Sequence, residues 1–142
     1  MKVTISKTDF ESILLHAKEN LPEEACGLIA GVDNEDGSRD IKKVYLLTNI
    51  DHTNEHFTID PKDQLASIKD MRANGLKPLG NWHSHPESPS RPSEEDKRLA
   101  NDPNASYLIL SLMDSDNPVL NAFHVETVNG EKTVRKEELI IL

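Results

Sequence analysis

Hydrophobic positions in the first third of the chain repeat at helical spacing and then change to strand-like runs. The first apolar set recurs at steps of three and four residues, at Phe10, Ile13, Leu14 and Ala17. This spacing predicts a helix over residues 8–20, with Thr8 as a possible cap and Leu21-Pro22 as its end. The apolar segments CGLIAGV and IKKVYLLT are typical of strands, and the turn-rich stretch Asp33–Asp40 between them predicts a hairpin.

The rest of the chain continues to alternate helices and strands. Asp60 as a cap, Pro61 at the first helical position and apolar residues at three-residue steps predict a second helix, which Asn74-Gly75 ends. KPLGNW, directly before His83, is typical of a short buried strand, and SEEDKRLA of a short helix. SYLILSLM, VLNAFHVETV and TVRKEELIIL predict further strands, the last two joined by a turn at Asn129-Gly130. The pattern predicts an α/β protein with a mixed β-sheet flanked by helices.

Composition limits the classes of partner and the expected organisation of the chain. A length of 142 residues fits one compact domain over residues 1–142. The 16 basic and 25 acidic residues give a net charge of −9 without a basic stripe, which argues against nucleic acid as a partner. No apolar stretch reaches the length of a signal peptide or a membrane helix. With a single cysteine, these features predict a cytoplasmic protein that does not bind membranes, and they leave the oligomeric state open.

Two histidines and an aspartate occur at a spacing that suits one metal ion. His83 and His85 stand two residues apart at the end of a predicted strand, so both side chains project from the same face. Pro86 ends that strand, and two further prolines keep the following loop extended up to the next helix. Asp96 falls in the first turn of this helix. The sequence therefore predicts His83, His85 and Asp96 as metal ligands.

The chemistry of this ligand set favours a catalytic zinc ion. Two imidazoles and one carboxylate suit a borderline cation, whereas calcium and magnesium prefer mostly oxygen ligands. Three protein ligands leave one position open for water or substrate, and a single cysteine excludes a cysteine-rich structural site. We therefore expect one Zn²⁺ per chain. Ser93 and Asp96 also fit a helix capping box, a role compatible with ligation by Asp96. The remaining histidines of the loop and strand segments are interpreted as surface or strand residues: His52, His56 and His124.

These residues resemble the signature of the JAMM or MPN+ zinc metalloproteases, in which a glutamate precedes His-x-His-x7-Ser-x-x-Asp. The spacing matches at each position, and the segment Leu21–Gly31 is similar to the family's Pro-x-Glu-x-Cys-Gly-Leu stretch, which carries the glutamate at Glu24. The segment Phe57–Pro61 resembles the phenylalanine and Asp-Pro pair that precede the family's second helix. The resemblance covers nearly the whole chain and implies the family's cytidine-deaminase-like fold.

The resemblance also implies roles for particular side chains. Glu24 would be the general base and later the general acid toward the leaving amine. Ser93 would donate a hydrogen bond to the developing oxyanion. Glu23 is the competing base, but neighbouring side chains of an extended segment point to opposite faces, so only one of the two glutamates can face the metal. Cys26 is interpreted as a small buried hydrophobic residue rather than as a nucleophile.

Relatives of this type imply hydrolysis of peptide or isopeptide bonds that follow the C-terminal Gly-Gly of ubiquitin-like or sulfur-carrier proteins. Such a tail is expected to pair with an exposed edge over residues Asn49 to Phe57. Two alternatives stay open, a zinc-dependent small-molecule amidase or peptidase and a non-catalytic MPN scaffold. A cytidine deaminase is excluded because its Pro-Cys-x-x-Cys motif needs a second cysteine.

Overall fold

The computed structural model describes residues 1–142 and contains seven strands and three helices. None of the helices combines the length and the apolar composition needed to cross a membrane. The elements follow one another along the chain as β1 (Lys2–Ile5), α1 (Lys7–Glu19), β2 (Cys26–Asp33), β3 (Arg39–Leu47), α2 (Pro61–Ala73), β4 (Lys77–His85), α3 (Glu94–Leu99), β5 (Ser106–Ser111), β6 (Val119–Val128) and β7 (Glu131–Ile141).

The strands form one mixed sheet in the order β1-β3-β2-β4-β5-β6-β7, and β1 also pairs with β7, so the sheet closes on itself. Strand β1 is parallel to both of its neighbours, and β4 is parallel to β5. The remaining pairs are antiparallel. The predicted mixed sheet and the three helices are confirmed. Closure of the sheet and strand β1 were not predicted.

The two long helices lie on opposite faces of the sheet. Helix α1 packs its buried residues Ile13 and Ala17 into the main core, which includes apolar side chains of strands β1 to β6. Helix α2 packs Met71 against Leu28 and Ala30 of β2. Successive side chains of β2 point to opposite faces of the sheet, so Leu28 and Ala30 face α2 while the intervening Ile29 faces the main core.

The cap of the first helix differs from the prediction. Ser6, and not Thr8, is the N-cap, because the Ser6 side chain accepts a hydrogen bond from the backbone N–H of Asp9 at 3.0 Å. Helix α1 therefore begins at Lys7 rather than at residue 8. Asp60 caps α2 as predicted, with Pro61 at its start.

Strand β4 lies between β2 and β5, and its last three residues include the two histidines. Its Trp82 is fully buried in the main core and donates a hydrogen bond from Nε1 to the carbonyl oxygen of Tyr45 at 3.0 Å. Gly27 pairs with Trp82, and a Cβ atom at Gly27 would lie 1.7 Å from the Tyr45 oxygen. Only glycine lets β2 approach β3 and β4 this closely.

Candidate metal centre

The end of β4 presents two buried imidazoles on one face. His83 and His85 have relative exposures of 3% and 5%, and their Nε2 atoms lie 3.1 Å apart. Ser84 points away from them, where its Oγ accepts a hydrogen bond from the backbone N–H of Ala25 at 2.8 Å. The alternation predicted from the strand period is therefore present, and the Ser84 side chain joins β4 to the start of β2.

The loop after β4 brings Asp96 to the same point. Its Oδ2 lies 3.2 Å from His83 Nε2 and 3.0 Å from His85 Nε2. The same Oδ2 accepts a hydrogen bond from the Ser93 backbone N–H at 2.9 Å. The predicted capping box is thus present, and it fixes Asp96 while the carboxylate faces the histidines.

Side chains on β5 and in the loop hold the intervening segment in place. Ser90 Oγ donates to the carbonyl oxygen of Ile109 at 2.7 Å, and Ser111 Oγ donates to that of Ser88 at 2.6 Å. These bonds anchor the loop to β5. The distance between the histidines and the helix that carries Asp96 is therefore set by the sheet.

These three side chains fit a metal ion. Their ligand atoms all lie within 4.8 Å of one another, and the closest pairs are 3.0 to 3.2 Å apart. Tetrahedral ligands at about 2.1 Å from a zinc ion lie about 3.4 Å from each other, close to the observed spacing. His85 Nδ1 lies 2.9 Å from the Pro89 carbonyl oxygen, which can only accept. The His85 proton is therefore on Nδ1, and Nε2 offers its lone pair to a metal.

Burial and mutual contact perturb the pKa values of this group. Burial lowers the pKa of the His83 imidazole. For His85, burial opposes the charged form, but the Asp96 carboxylate and the Pro89 carbonyl outweigh it and raise the pKa. For Asp96, burial favours the neutral acid, but the contacts of its carboxylate with the two imidazoles outweigh burial and hold the pKa well below its usual range. Asp96 is therefore an anion, as a metal ligand must be.

The structure distinguishes sharply between the two neighbouring glutamates. Glu24 is 4% exposed, and its Oε1 is buried without a hydrogen-bond partner. Burial raises its pKa to about 8, with the charge of His85 opposing and that of Asp96 adding to this shift. Glu23 instead points outward and contacts His52 Nδ1 at 3.2 Å. A bound cation would lower the pKa of Glu24 and favour its carboxylate form.

Ser93 lies at the start of α3, next to Asp96 in sequence and in space. Its Oγ accepts the Asp96 backbone N–H at 3.0 Å. The hydroxyl hydrogen is not used by this bond and is free to donate to another group. The exposed position of Ser93 leaves that hydrogen accessible to a bound molecule.

Cys26 has none of the surroundings that activate a thiol. It is fully buried and pairs with His83 in the β2–β4 ladder. Burial, followed by the charge of Glu24, raises its pKa to about 12. The interpretation of Cys26 as a small buried hydrophobic residue is confirmed.

An aromatic ring and a small cavity lie beside the candidate ligands. The ring of Phe57 stacks on His83 with centroids 4.8 Å apart and an angle of 25° between the planes. The adjoining cavity of about 60 Å³ is lined by His83 and Asp96 and by apolar residues that include Phe57, Leu99 and Val125. The position of Phe57 next to His83 could not be found from hydrophobic periodicity.

The segment expected to offer a strand edge has a different structure. Within residues 49–57 only Asn49 forms a β-bridge, an antiparallel one with Ile59. The rest of the segment forms turns and loop, so the predicted edge over Asn49 to Phe57 is absent from this structure. Internal hydrogen bonds explain this difference, because the Asn49 side chain bonds to several backbone groups that a strand edge would leave free.

The sequence of the chain matches one protein family over most of its length. The family described as prokaryotic homologs of the JAB domain matches residues 6–125. Among curated relatives, the CysO-cysteine peptidase of Mycobacterium tuberculosis is 28% identical over 122 residues, which cover 86% of this chain and 80% of that protein. The desampylase of Haloferax volcanii is 31% identical over 106 residues, which cover 71% of this chain and 74% of that protein.

A solved structure shares the whole fold. The solution structure of protein DSY2949 from Desulfitobacterium hafniense has a TM-score of 0.87 and 46% sequence identity. The alignment covers 100% of this chain and 93% of that one. The overall fold of this chain is therefore shared by a protein whose structure was determined by experiment.

Proposed function

This chain belongs to the prokaryotic JAB-domain family, and on that basis we propose that it is a zinc-dependent metallopeptidase. Its substrates are peptide or isopeptide bonds that follow the C-terminal Gly-Gly of a ubiquitin-like or sulfur-carrier protein. Residues 1–142 would form a single catalytic domain with a cytidine-deaminase-like fold. The observation that carries the proposal is the convergence of His83, His85 and Asp96, close enough to the buried, unpartnered carboxyl group of Glu24 for the charges of His85 and Asp96 to shift its pKa. Two of its relatives, a CysO-cysteine peptidase and a desampylase, support this class of substrate by their names.

The three ligands and the two further side chains have distinct tasks in the proposed reaction. A zinc ion held by His83, His85 and Asp96 would act as a Lewis acid on the substrate carbonyl and lower the pKa of water. Glu24 takes a proton from the attacking water and delivers it to the leaving amine as the C–N bond breaks. Ser93 donates its hydroxyl hydrogen to the carbonyl oxygen as negative charge develops there.

The surroundings of Glu24 suit this proton transfer. A buried carboxylate without a hydrogen-bond partner holds its proton more strongly than a solvated one, so it is a better base. Glu24 is held in place between β2 and the loop after β3. It therefore loses little conformational entropy on reaching the transition state, whereas a mobile surface glutamate would lose more.

The test compares the wild type with Glu24→Gln and with the matched control Glu23→Gln. The substrate is a ubiquitin-like protein ending in Gly-Gly that is fused to a short peptide, and zinc content is measured for all three proteins. We expect stoichiometric zinc in each protein. Cleavage should persist in Glu23→Gln and fall by about 100- to 10,000-fold in Glu24→Gln, as for loss of a general base.

Other results would contradict the proposal in identifiable ways. Zinc without cleavage of any carrier fusion would favour a small-molecule amidase or peptidase. A protein that binds no zinc would favour a non-catalytic scaffold. Equal losses in the two glutamine variants would contradict the assignment of Glu24 as the base.

A further inference from the structure

Asn49 is a buried polar residue just after β3, and its side chain holds together a loop that has no regular secondary structure. It is 3% exposed and takes part in five hydrogen bonds through its side-chain amide. Nδ2 lies within hydrogen-bond distance of three carbonyl oxygens, two of which share one of its two hydrogens, and Oδ1 accepts from two backbone N–H groups. The amide therefore uses both of its N–H donors and its carbonyl acceptor at once, a combination that only asparagine and glutamine side chains offer.

One of these bonds reaches the backbone of the proposed base. Asn49 Nδ2 donates to the carbonyl oxygen of Glu24 at 3.0 Å. The same nitrogen contacts the Thr53 carbonyl oxygen at 3.4 Å, and this oxygen accepts the backbone N–H of Glu24 at 2.8 Å. The loop thus holds both backbone polar groups of Glu24. Because Glu24 precedes β2, the sheet ladder itself does not fix it.

Two other bonds enclose Phe57. Asn49 Nδ2 donates to the carbonyl oxygen of His56 at 3.0 Å, and Asn49 Oδ1 accepts the backbone N–H of Thr58 at 3.2 Å. The residues on either side of Phe57 are therefore tied to one side chain. The ring between them stacks on His83, which is one of the three proposed ligands.

We propose that Asn49 is a positioning residue that sets the location of Glu24 and of the Phe57 ring relative to the metal ligands. This inference rests on the proposed function. It assigns a catalytic consequence to a residue that touches none of His83, His85 and Asp96 and that lies in a polar loop. Loss of the donors would leave the Glu24 and His56 carbonyls without their buried partner and would release the base segment from the loop.

The kinetic test uses Asn49→Asp, which keeps an acceptor at Oδ1 and removes both N–H donors. We expect stoichiometric zinc and a kcat that is lower by about 10- to 100-fold, the effect of displacing a reacting group by about 1 Å. Ser106→Ala is the matched control. Ser106 is also fully buried and accepts a hydrogen bond from Arg39 at 2.9 Å, but it has no contact with the base segment. Its kcat should stay near the wild-type value.

A double-mutant cycle shows whether Asn49 acts through the base. In a Glu24→Asp background, where the base is already displaced, Asn49→Asp should lower kcat by less than about threefold. An equal loss in both backgrounds would overturn the proposal, as would a wild-type kcat in Asn49→Asp. A kcat in the Ser106→Ala control as low as that of Asn49→Asp would show a general effect of destabilisation and would also overturn it.

A measurement without substrate keeps this inference separate from the proposed function. Amide hydrogen exchange of the metal-free, ¹⁵N-labelled protein reports the bond from the Glu24 N–H to Thr53. In Asn49→Asp the Glu24 amide should exchange faster, while the Ile29 amide in β2 should be unchanged. If the wild type cleaves no carrier fusion, the proposed function fails, and the exchange data alone decide whether Asn49 positions Glu24. An unchanged Glu24 amide would overturn the inference.

Discussion

Ser93 has two candidate tasks that substitutions can separate, because one needs only a helix cap and the other needs a hydroxyl hydrogen. In the structure Oγ accepts the Asp96 backbone N–H at 3.0 Å, which is the cap. The hydrogen bond that fixes the Asp96 carboxylate comes from the Ser93 backbone, so it survives any change of the side chain. Metal binding should therefore be retained in Ser93 variants.

The two tasks differ in magnitude. Ser93→Ala removes the cap at about 1 kcal/mol of unfolding free energy, whereas glycine at an N-cap costs only a few tenths of a kcal/mol. Loss of an oxyanion donor costs about 3 to 4 kcal/mol in the barrier, or about 100- to 1,000-fold in kcat. Ser93→Gly should therefore lose activity as severely as Ser93→Ala while staying nearly as stable as the wild type. Ser93→Thr retains both groups and should retain activity.

Urea unfolding gives the stability of each variant, and kcat on the carrier fusion, together with zinc content, gives the activity. The reasoning is refuted if Ser93→Gly cleaves the fusion at close to the wild-type rate. It is also refuted if activity follows stability across the three variants, because Ser93 would then act only as a cap.

Two further predictions concern the framework around the site. The hydrogen bond from buried Arg39 is the main cause that lowers the pKa of Asp33 from 3.8 to about 2, with burial opposing and Lys77 assisting. Because the folded pKa lies below the unfolded one, this stabilisation is complete above about pH 4 and is lost as the pH falls toward 2. Between pH 4 and pH 2 the unfolding free energy of the wild type should fall by about 1 kcal/mol more than that of Asp33→Asn, after allowance for solvent screening. Urea unfolding at each pH measures both proteins, and an equal fall in the two would contradict this prediction. Gly27→Ala places a Cβ 1.7 Å from the Tyr45 oxygen and 2.3 Å from Trp82 Nε1. It should cost about 2 to 4 kcal/mol through overpacking and loss of the Trp82 hydrogen bond, and a urea midpoint equal to that of the wild type would show that the strands separate without strain.

Elements with a strong local pattern could be predicted from the sequence, and elements held by distant partners could not. Helices α1 and α2 and the β2–β3 hairpin follow from periodicity and turn residues that lie within each segment. Strand β1 has only four residues, and its partners β3 and β7 lie far away in sequence. Its alternation of Val3 and Ile5 with polar neighbours was a usable but weak signal. Closure of the sheet depends on the same distant pairings, which no local window contains.

Some side chains of the candidate site could likewise be predicted from the sequence, and others could not. The period of two along β4 placed His83 and His85 on one face, and the short distance along the chain kept Asp96 within reach. The choice between Glu23 and Glu24 rested on family resemblance, since both are acidic residues in an extended segment. Burial of Glu24 and the contact of Glu23 with His52 now distinguish the two. No sequence pattern pointed to Asn49, because the sequence of a polar loop does not show whether an asparagine side chain within it is buried or solvated.

The types and spacing of the candidate ligands and the order of most elements follow from the sequence alone, because side-chain chemistry and local periodicity are properties of short segments. Which groups lose contact with water depends on tertiary packing. Packing leaves the Glu24 side-chain oxygen Oε1 without a hydrogen-bond partner, places three carbonyl oxygens around the Asn49 amide and brings Phe57 onto His83. These relations depend on contacts between residues distant in sequence, and the free energy of burying a polar group has no meaning until those contacts exist.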